Sequence, residues 1–405
     1  MGGFIMYKKL LIGLFIVLLC LSPVAAENWD CFGGNVNHNA YRDESSDFVT
    51  NLWTFNIESP VHSSPAIYKD YVYVVSNDGI LTAVDMETGE EEWDLDLESH
   101  TNSSPIVHKN RLYIGCEDGL KAVSINTHKV VWDFDCDNVA STPFYYKDVI
   151  YFGTDDGHLY GLNNDGKVEF NKKLDGELKS SPAVFDDTVY IGSTNGKLYS
   201  IGTDKNKNWD FTTGDEILSS PSYVNKSIIF GSSDGNVYCL NESDGDLIWK
   251  QDLCNKVISS PTTDEHDNSV YIGSDDGNMT CLDIRDGTVK WSHQTGNKVQ
   301  STPALKGKLV AFGSNNGVLY VLNKYTGIEE FTYNPGTILF SSPITSSPVI
   351  NGNSLLFADD SGYLYSLNIN KYEVPGSVQL FFSLGVLIVA LILVVFVAFT
   401  IRGRK

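Results

Sequence analysis

Residue types able to do chemistry are plentiful in this 405-residue chain, but their spacing is that of turns. Its eight histidines (His38, His62, His100, His108, His128, His158, His266 and His293) show no metal-ligand spacing. Asp155-Asp156-Gly157 and Asp275-Asp276-Gly277 offer paired carboxylates to a hard cation. They lack the spaced oxygen ligands of a calcium loop and read first as tight turns. No nucleophile motif or phosphate loop stands in a suitable context. Six cysteines follow residue 26 (Cys31, Cys116, Cys136, Cys239, Cys254 and Cys281), which allows either up to three disulfides or free buried thiols. The sequence therefore nominates no catalytic residue, no metal ligand set and no cofactor. A formal charge of −22 excludes a nucleic-acid partner, which would need clustered Lys and Arg. It suits a salt-exposed surface, or a basic or metal-ion partner.

These groups are spread along an internal repeat. Ser-Ser-Pro or Ser-Thr-Pro recurs with its proline at Pro65, Pro105, Pro143, Pro182, Pro221, Pro261, Pro303 and Pro348. A turn glycine follows at a constant interval of fourteen positions: Gly79, Gly119, Gly157, Gly196, Gly235, Gly317 and Gly362. In the sixth copy the interval is two positions longer and ends at Gly277, because 263–268 makes a longer loop. Runs such as Tyr71-Val72-Tyr73-Val74-Val75 and Leu159-Tyr160-Gly161-Leu162 flank the glycine, and an aromatic closes most units: Trp93, Trp132, Phe170, Trp209, Trp249, Trp291 and Phe331. Short β-rich runs joined by Asp-Gly and Asn-Gly turns are hairpins. Four strands per roughly 40 residues is the signature of a propeller blade. No stretch has the 3.6-residue apolar period of a helical solenoid.

Closure sets the blade count. Eight hairpins are followed by only seven aromatic strands, and the missing one is Asn51-Leu52-Trp53-Thr54-Phe55, with Trp53 twelve positions before Pro65. The chain is thus predicted to be an all-β, eight-bladed β-propeller over 51–372, closed by an N-terminal strand that pairs with 363–368. Phe331 lies twelve positions before Pro343 and seventeen before Pro348, and both prolines follow Ser-Ser. The fourteen-position interval to Gly362 selects Pro348 and leaves a five-residue insertion before it.

The ends lie outside this pattern. Lys8-Lys9, the apolar run 10–21 and Ser22-Pro23-Val24-Ala25-Ala26 describe a signal peptide over 1–26. A lead-in spans 27–50 and a linker 373–377. The stretch from Val378 to Ile401 carries no charge and consists mostly of Leu, Ile, Val and Phe. As a helix it would span about 36 Å, enough to cross a bilayer. Arg402, Arg404 and Lys405 form a basic tail over 402–405 that the positive-inside rule places in the cytoplasm. The expectation is a single-pass protein of the cytoplasmic membrane with its propeller outside and its C-terminus inside. Val374-Pro375-Gly376-Ser377 with the apolar run and basic tail also resembles the tripartite sorting signals of some archaeal surface proteins, though the short motif matches poorly.

Charge separates along the predicted blades. Turns between second and third strands carry Asp78, Asp118, Asp156, Asp234 and Asp276, and the blade-to-blade connections on the same side add Asp135, Asp175, Asp215 and Asp252. Lysines such as Lys69, Lys109, Lys147, Lys226, Lys306 and Lys308 fall on the opposite side. Two readings stand: an acidic rim that binds a partner facing a more basic one, or simply solvated turns. Sequons at Asn102, Asn225, Asn241 and Asn278 would permit glycosylation of an exported chain.

The repeats resemble the pyrroloquinoline-quinone-type propeller repeat, on Asp85-Met86-Glu87-Thr88-Gly89-Glu90-Glu91-Glu92-Trp93, on Ser-Ser-Pro, and on Tyr-Ile-Gly-Ser-x-x-Gly hairpins. Trp29-x-x-Phe32-x-x-Asn35-x-x-His38 is similar to the lead-in of many such proteins. The resemblance implies a quinoprotein dehydrogenase, a membrane-assembly scaffold or another surface protein. The dehydrogenases of this family sandwich the quinone between a tryptophan and a vicinal disulfide, beside an Asp base and calcium. This sequence has no Cys-Cys pair, and six of its seven tryptophans fall at the blade position. The sequence therefore favours a non-catalytic interaction scaffold or assembly factor with a protein or glycan partner; the alternative is a quinoprotein-type enzyme with a divergent site.

Overall fold

The computed structural model describes residues 41–42, 50–336 and 341–369. The predicted signal peptide, most of the predicted lead-in, the predicted linker, the apolar segment 378–401 and the basic tail lie outside the described residues. Among those described there is no helix; the architecture is eight four-stranded antiparallel blades in a closed ring, the seventh carrying a fifth, parallel strand at Tyr41–Arg42. Blades 1 to 7 occupy 66–96, 106–135, 144–173, 183–212, 222–252, 262–294 and 304–333. Blade 8 combines 349–368 with the N-terminal strand Thr50–Asn56, whose Trp53 pairs with Ser366 and Phe55 with Leu364. Joining the two ends of the chain within one sheet leaves no open gap between first and last blades.

Each blade runs from a three-residue strand at the axis to an outer strand at the rim. The two middle strands are buried on both faces, as in Ser227–Gly231, where every residue is buried. Outer strands show one buried or half-buried aromatic in an otherwise largely exposed row, as in Leu247–Asp252, where that residue is Trp249. The apolar core therefore lies between neighbouring sheets, and each blade needs its neighbours to bury it.

The Ser-Ser-Pro motif works in two directions. Its first serine pins the second strand of its own blade twelve positions on: Ser63 Oγ donates to Val75 O (2.6 Å), Ser141 Oγ to Gly153 O (3.1 Å), Ser301 Oγ to Gly313 O (2.9 Å) and Ser346 Oγ to Ala358 O (2.7 Å). Its second residue accepts from the preceding blade: Ser64 N donates to Ser104 Oγ (2.8 Å), Thr142 N to Ser181 Oγ (2.9 Å), Ser220 N to Ser260 Oγ (2.9 Å) and Thr302 N to Ser347 Oγ (2.9 Å). Ser347 N to Ser64 Oγ (3.0 Å) carries the series across the join between blades 8 and 1. Ser346, Ser347 and Pro348 hold the blade-8 positions, so the Pro348 register stands and Ser341-Ser342-Pro343 belongs to the insertion.

In six of the eight blades the outer-strand aromatic is a tryptophan that latches the blade to the next. Trp53 Nε1 donates to Met86 O (2.9 Å), Trp132 to Asn164 O (2.9 Å), Trp209 to Glu242 O (2.9 Å), Trp249 to Ile284 O (2.8 Å) and Trp291 to Lys324 O (2.8 Å). Glycine is needed under the ring: Gly89 has φ +73°, and a Cβ there would lie 2.4 Å from Trp53. Blade 1 varies the latch, stacking Trp93 on His128 with centroids 4.7 Å apart.

Two further features concern the sequence expectations. The five described cysteines, Cys116, Cys136, Cys239, Cys254 and Cys281, are free thiols, so the allowance for disulfides among them is not used. Burial pushes the Cys116 and Cys239 thiols up to about 12. From the lead-in, Tyr41–Arg42 runs parallel to the innermost strand of blade 7, opposite Leu305 and Lys306, and so lies at the axial edge of that sheet.

Candidate functional site

Backbone hydrogen bonds establish which loops share a face. The turn after the second strand bonds the connection between blades, as in Asn77 N to Pro60 O (2.8 Å) and Asp155 N to Asn138 O (2.9 Å). These loops form the acidic face. The first-to-second and third-to-fourth turns meet on the other side, as in Glu242 N to Lys226 O (3.1 Å) and Ile125 N to Asn110 O (3.0 Å). That is the lysine face.

The nine carboxylates of the acidic rim divide into two groups. Turn residues are folded back on their own hairpins. Asp78 accepts from Ser76 Oγ, Asp156 from Thr154 Oγ1 and Asp276 from Ser274 Oγ and Asn278 N. Asp234 accepts from Tyr238 Oη (2.7 Å) and Gly214 N (2.8 Å), and Asp118 pairs with Lys121 (2.8 Å). The Ser76 hydroxyl holds Asp78 below its ordinary pKa. These five shape turns first. The connection residues Asp135, Asp175, Asp215 and Asp252 are exposed, and no ion pair to any of them is made among the described residues.

The lysine face is less basic than the sequence suggested. Its lysines reach the next blade: Lys69 Nζ donates to Asn110 (3.1 Å), Lys109 to Asp148 (2.8 Å) and Lys147 to Asp187 (2.8 Å). Lys324 and Asp264 are buried, joined at 2.6 Å, with Asp267 2.8 Å from the same ammonium. Burial disfavours the Lys324 charge, but hydrogen bonds to the two carboxylates outweigh it and raise the pKa. The opposing rim is a set of inter-blade ties that balance charge.

A second polar constellation, at the axial mouth on the acidic face, was missed in the sequence. The residue before each Ser-Ser/Thr-Pro triplet lines it: His62, Asn102, Ala140, Lys179, Leu218, Ile258, Gln300 and Thr345. Blades 7, 8, 1 and 2 form a polar arc and blades 5 and 6 an apolar one. Thr345 Oγ1 donates to Asp360 Oδ1 (2.6 Å), Asp360 Oδ2 lies 3.8 Å from His62 Nε2, and Asn77 Nδ2 is 2.8 Å from His62 Nδ1. Burial raises the Asp360 pKa, with Thr345 and His62 opposing the shift. Gln300 Nε2 and Lys298 Nζ both reach Asp275 at 2.8 Å. The signal was present: the position before each repeated triplet varies between polar and apolar residues from blade to blade.

The sequons lie within the repeat as well. Asn225 is exposed in a turn on the lysine face, Asn102 is exposed at the axial mouth, and Asn241 and Asn278 sit half-buried at strand ends. Among the described residues no group of three or more His, Cys, Asp or Glu is placed to hold a metal ion.

Against known proteins, no curated sequence matches. BamB from Moraxella catarrhalis superposes with TM-score 0.68 at 18% identity, covering 79% of this chain and 100% of the other. The quinohemoprotein alcohol dehydrogenase of Comamonas testosteroni gives 0.73 at 14% identity, covering 86% and 81%. The computationally designed Ika8 protein gives 0.70 at 17%, covering 80% and 100%. At these identities the likeness is one of fold. A family model matches residues 50–133, 117–225 and 203–375, and by that match the chain belongs to the family of PQQ-type propellers described as outer membrane protein assembly factor BamB.

Proposed function

We propose that this protein is a membrane-anchored, extracytoplasmic propeller acting as a non-catalytic scaffold or assembly factor, with its acidic face as the docking surface for a basic protein or glycan partner. The observation that carries the reading is the exposed set Asp135, Asp175, Asp215 and Asp252, which projects from successive connections while the turn carboxylates are engaged within their hairpins. Exposed carboxylates on successive connections steer a partner of opposite charge. The family's description as an assembly factor agrees with it.

A quinoprotein-type dehydrogenase is the second reading, favoured by the match to the alcohol dehydrogenase and by the polar arc at the axial mouth. The described residues fit the quinone poorly. Every described tryptophan packs against the next blade, and the described cysteines stand apart in sequence with free thiols.

The test is a pull-down of the full chain from native membrane extract, beside a variant carrying Asp135→Asn, Asp175→Asn, Asp215→Asn and Asp252→Asn. Loss of a stoichiometric partner in the variant supports docking on this face. Unchanged capture refutes it, and a visible chromophore in the purified protein would favour the dehydrogenase.

A further inference from the structure

We infer that the propeller stands on the bilayer by its lysine face, with an apolar rim on that face touching the lipid interface and the acidic face pointing away from the membrane. This rests on the proposal that 378–401 is the membrane anchor.

Two observations carry it. First, the chain leaves the propeller on this face. Strand Tyr363–Asn368 runs from the acidic turn to the lysine side, where Ile369 N donates to Asn353 O (2.8 Å) in the first-to-second turn of blade 8. Strand Thr50–Asn56 enters at the same level, with Thr50 opposite Asn368. Only residues 370–377 separate Ile369 from the apolar segment, a reach of about 28 Å when fully extended. The strand 363–368 alone spans about 20 Å, so turning the acidic face to the bilayer would consume nearly the whole linker.

Second, the exposed large apolar side chains are distributed unequally. Nine of the ten among the described residues stand at the lysine-face end of outer strands or in the turns beside them; Tyr363 is the exception. Leu52, Val168, Ile248, Val289, Tyr325 and Ile328 represent blades 8, 3, 5, 6 and 7, with Ile328 67% exposed. Singly exposed apolar residues are ordinary, but a rim confined to one end of a disc is the arrangement of an interfacial contact.

Charge does not choose between the faces: beside the ties Lys109–Asp148 and Lys147–Asp187, the third-to-fourth turns of the lysine face expose Glu87, Glu90, Asp165, Asp244, Asp246 and Asp286. The orientation therefore rests on the chain exit and the apolar rim.

The experiment uses the full chain in nanodiscs containing lipids with nitroxide-labelled headgroups. A bimane is attached either to native Cys254, exposed on the acidic face, or to Ile328→Cys, with Val289→Cys as a second site on the lysine face. The Cys254 sample carries Cys31→Ser and Cys136→Ser, and the others add Cys254→Ser. Quenching at Ile328→Cys and Val289→Cys should exceed that at Cys254 by about threefold or more, a contact-range effect. Equal or reversed quenching in discs that hold the chain overturns the orientation while leaving the anchor in place. A chain that the discs do not retain after an alkaline wash overturns the anchor reading and this inference with it.

Discussion

The two faces of the propeller are built from the same hairpins yet use charge differently. On the lysine face cations are tied to the next blade, and the Lys324–Asp264–Asp267 cluster is buried deeply enough to matter for folding. On the acidic face the connections leave carboxylates facing solvent, where they contribute little to stability and, in the proposed function, would meet the partner. The acidic face has ties of its own, Lys298 and Gln300 to Asp275, so the difference lies in the connection carboxylates and not in the faces as wholes.

Breaking the buried cluster should give the largest effect. Asp264→Ala leaves the Lys324 ammonium buried without its closest carboxylate, and should cost about 3–5 kcal/mol in chemical denaturation. Removing an exposed tie by Lys109→Ala should cost no more than about 1 kcal/mol. A similar loss for both would dissolve the distinction between buried and surface ties. Trp209→Ala removes a ring buried against blade 5 and is expected to cost about 3–5 kcal/mol, read from the same denaturation curves. Next comes Ser301→Ala, which strips Gly313 O and Gly313 N of their shared hydroxyl partner and should cost about 1–3 kcal/mol.

A titration sharpens the comparison on the acidic side. Burial raises the Asp360 pKa in the fold, so the folded chain binds more proton there than the unfolded chain, and stability falls as pH rises through the carboxylate range. Asp360→Asn should therefore raise the melting temperature at neutral pH and lose that advantage in acid, below the carboxylate range; a constant difference across pH would exclude the mechanism. The smallest stability change belongs to Asp135→Asn, Asp175→Asn, Asp215→Asn and Asp252→Asn together. It should leave the denaturation midpoint nearly unmoved while abolishing salt-sensitive partner capture.

Much of the fold was legible because propeller blades are local objects. Ser-Ser-Pro, the turn glycine at its constant interval and the closing aromatic each recur within one blade, and counting them located the join at Trp53 and the register at Pro348. The candidate surface was legible as a side of the disc, because alternate turns of a meander must fall on alternate faces. What escaped was inter-blade geometry. Lys109 and Asp148 stand one blade apart in sequence, and only the curvature of the ring brings them to 2.8 Å. The same curvature gathers His62, Asn77 and Asp360 at the axis, although Asp360 is nearly the whole propeller away in sequence.

The sequence by itself determined the blade, the number of blades and the strand that closes them, since hairpin chemistry and apolar alternation act between near neighbours. Tertiary structure alone decided which carboxylates are tied to a neighbouring segment and which stay exposed. A turn aspartate and a connection aspartate are the same residue in the sequence. Packing of the blade-to-blade connection brings the backbone of Gly214 to Asp234, while Asp252, one strand further on, accepts among the described residues only from the local Cys254 amide (2.7 Å) and stays exposed.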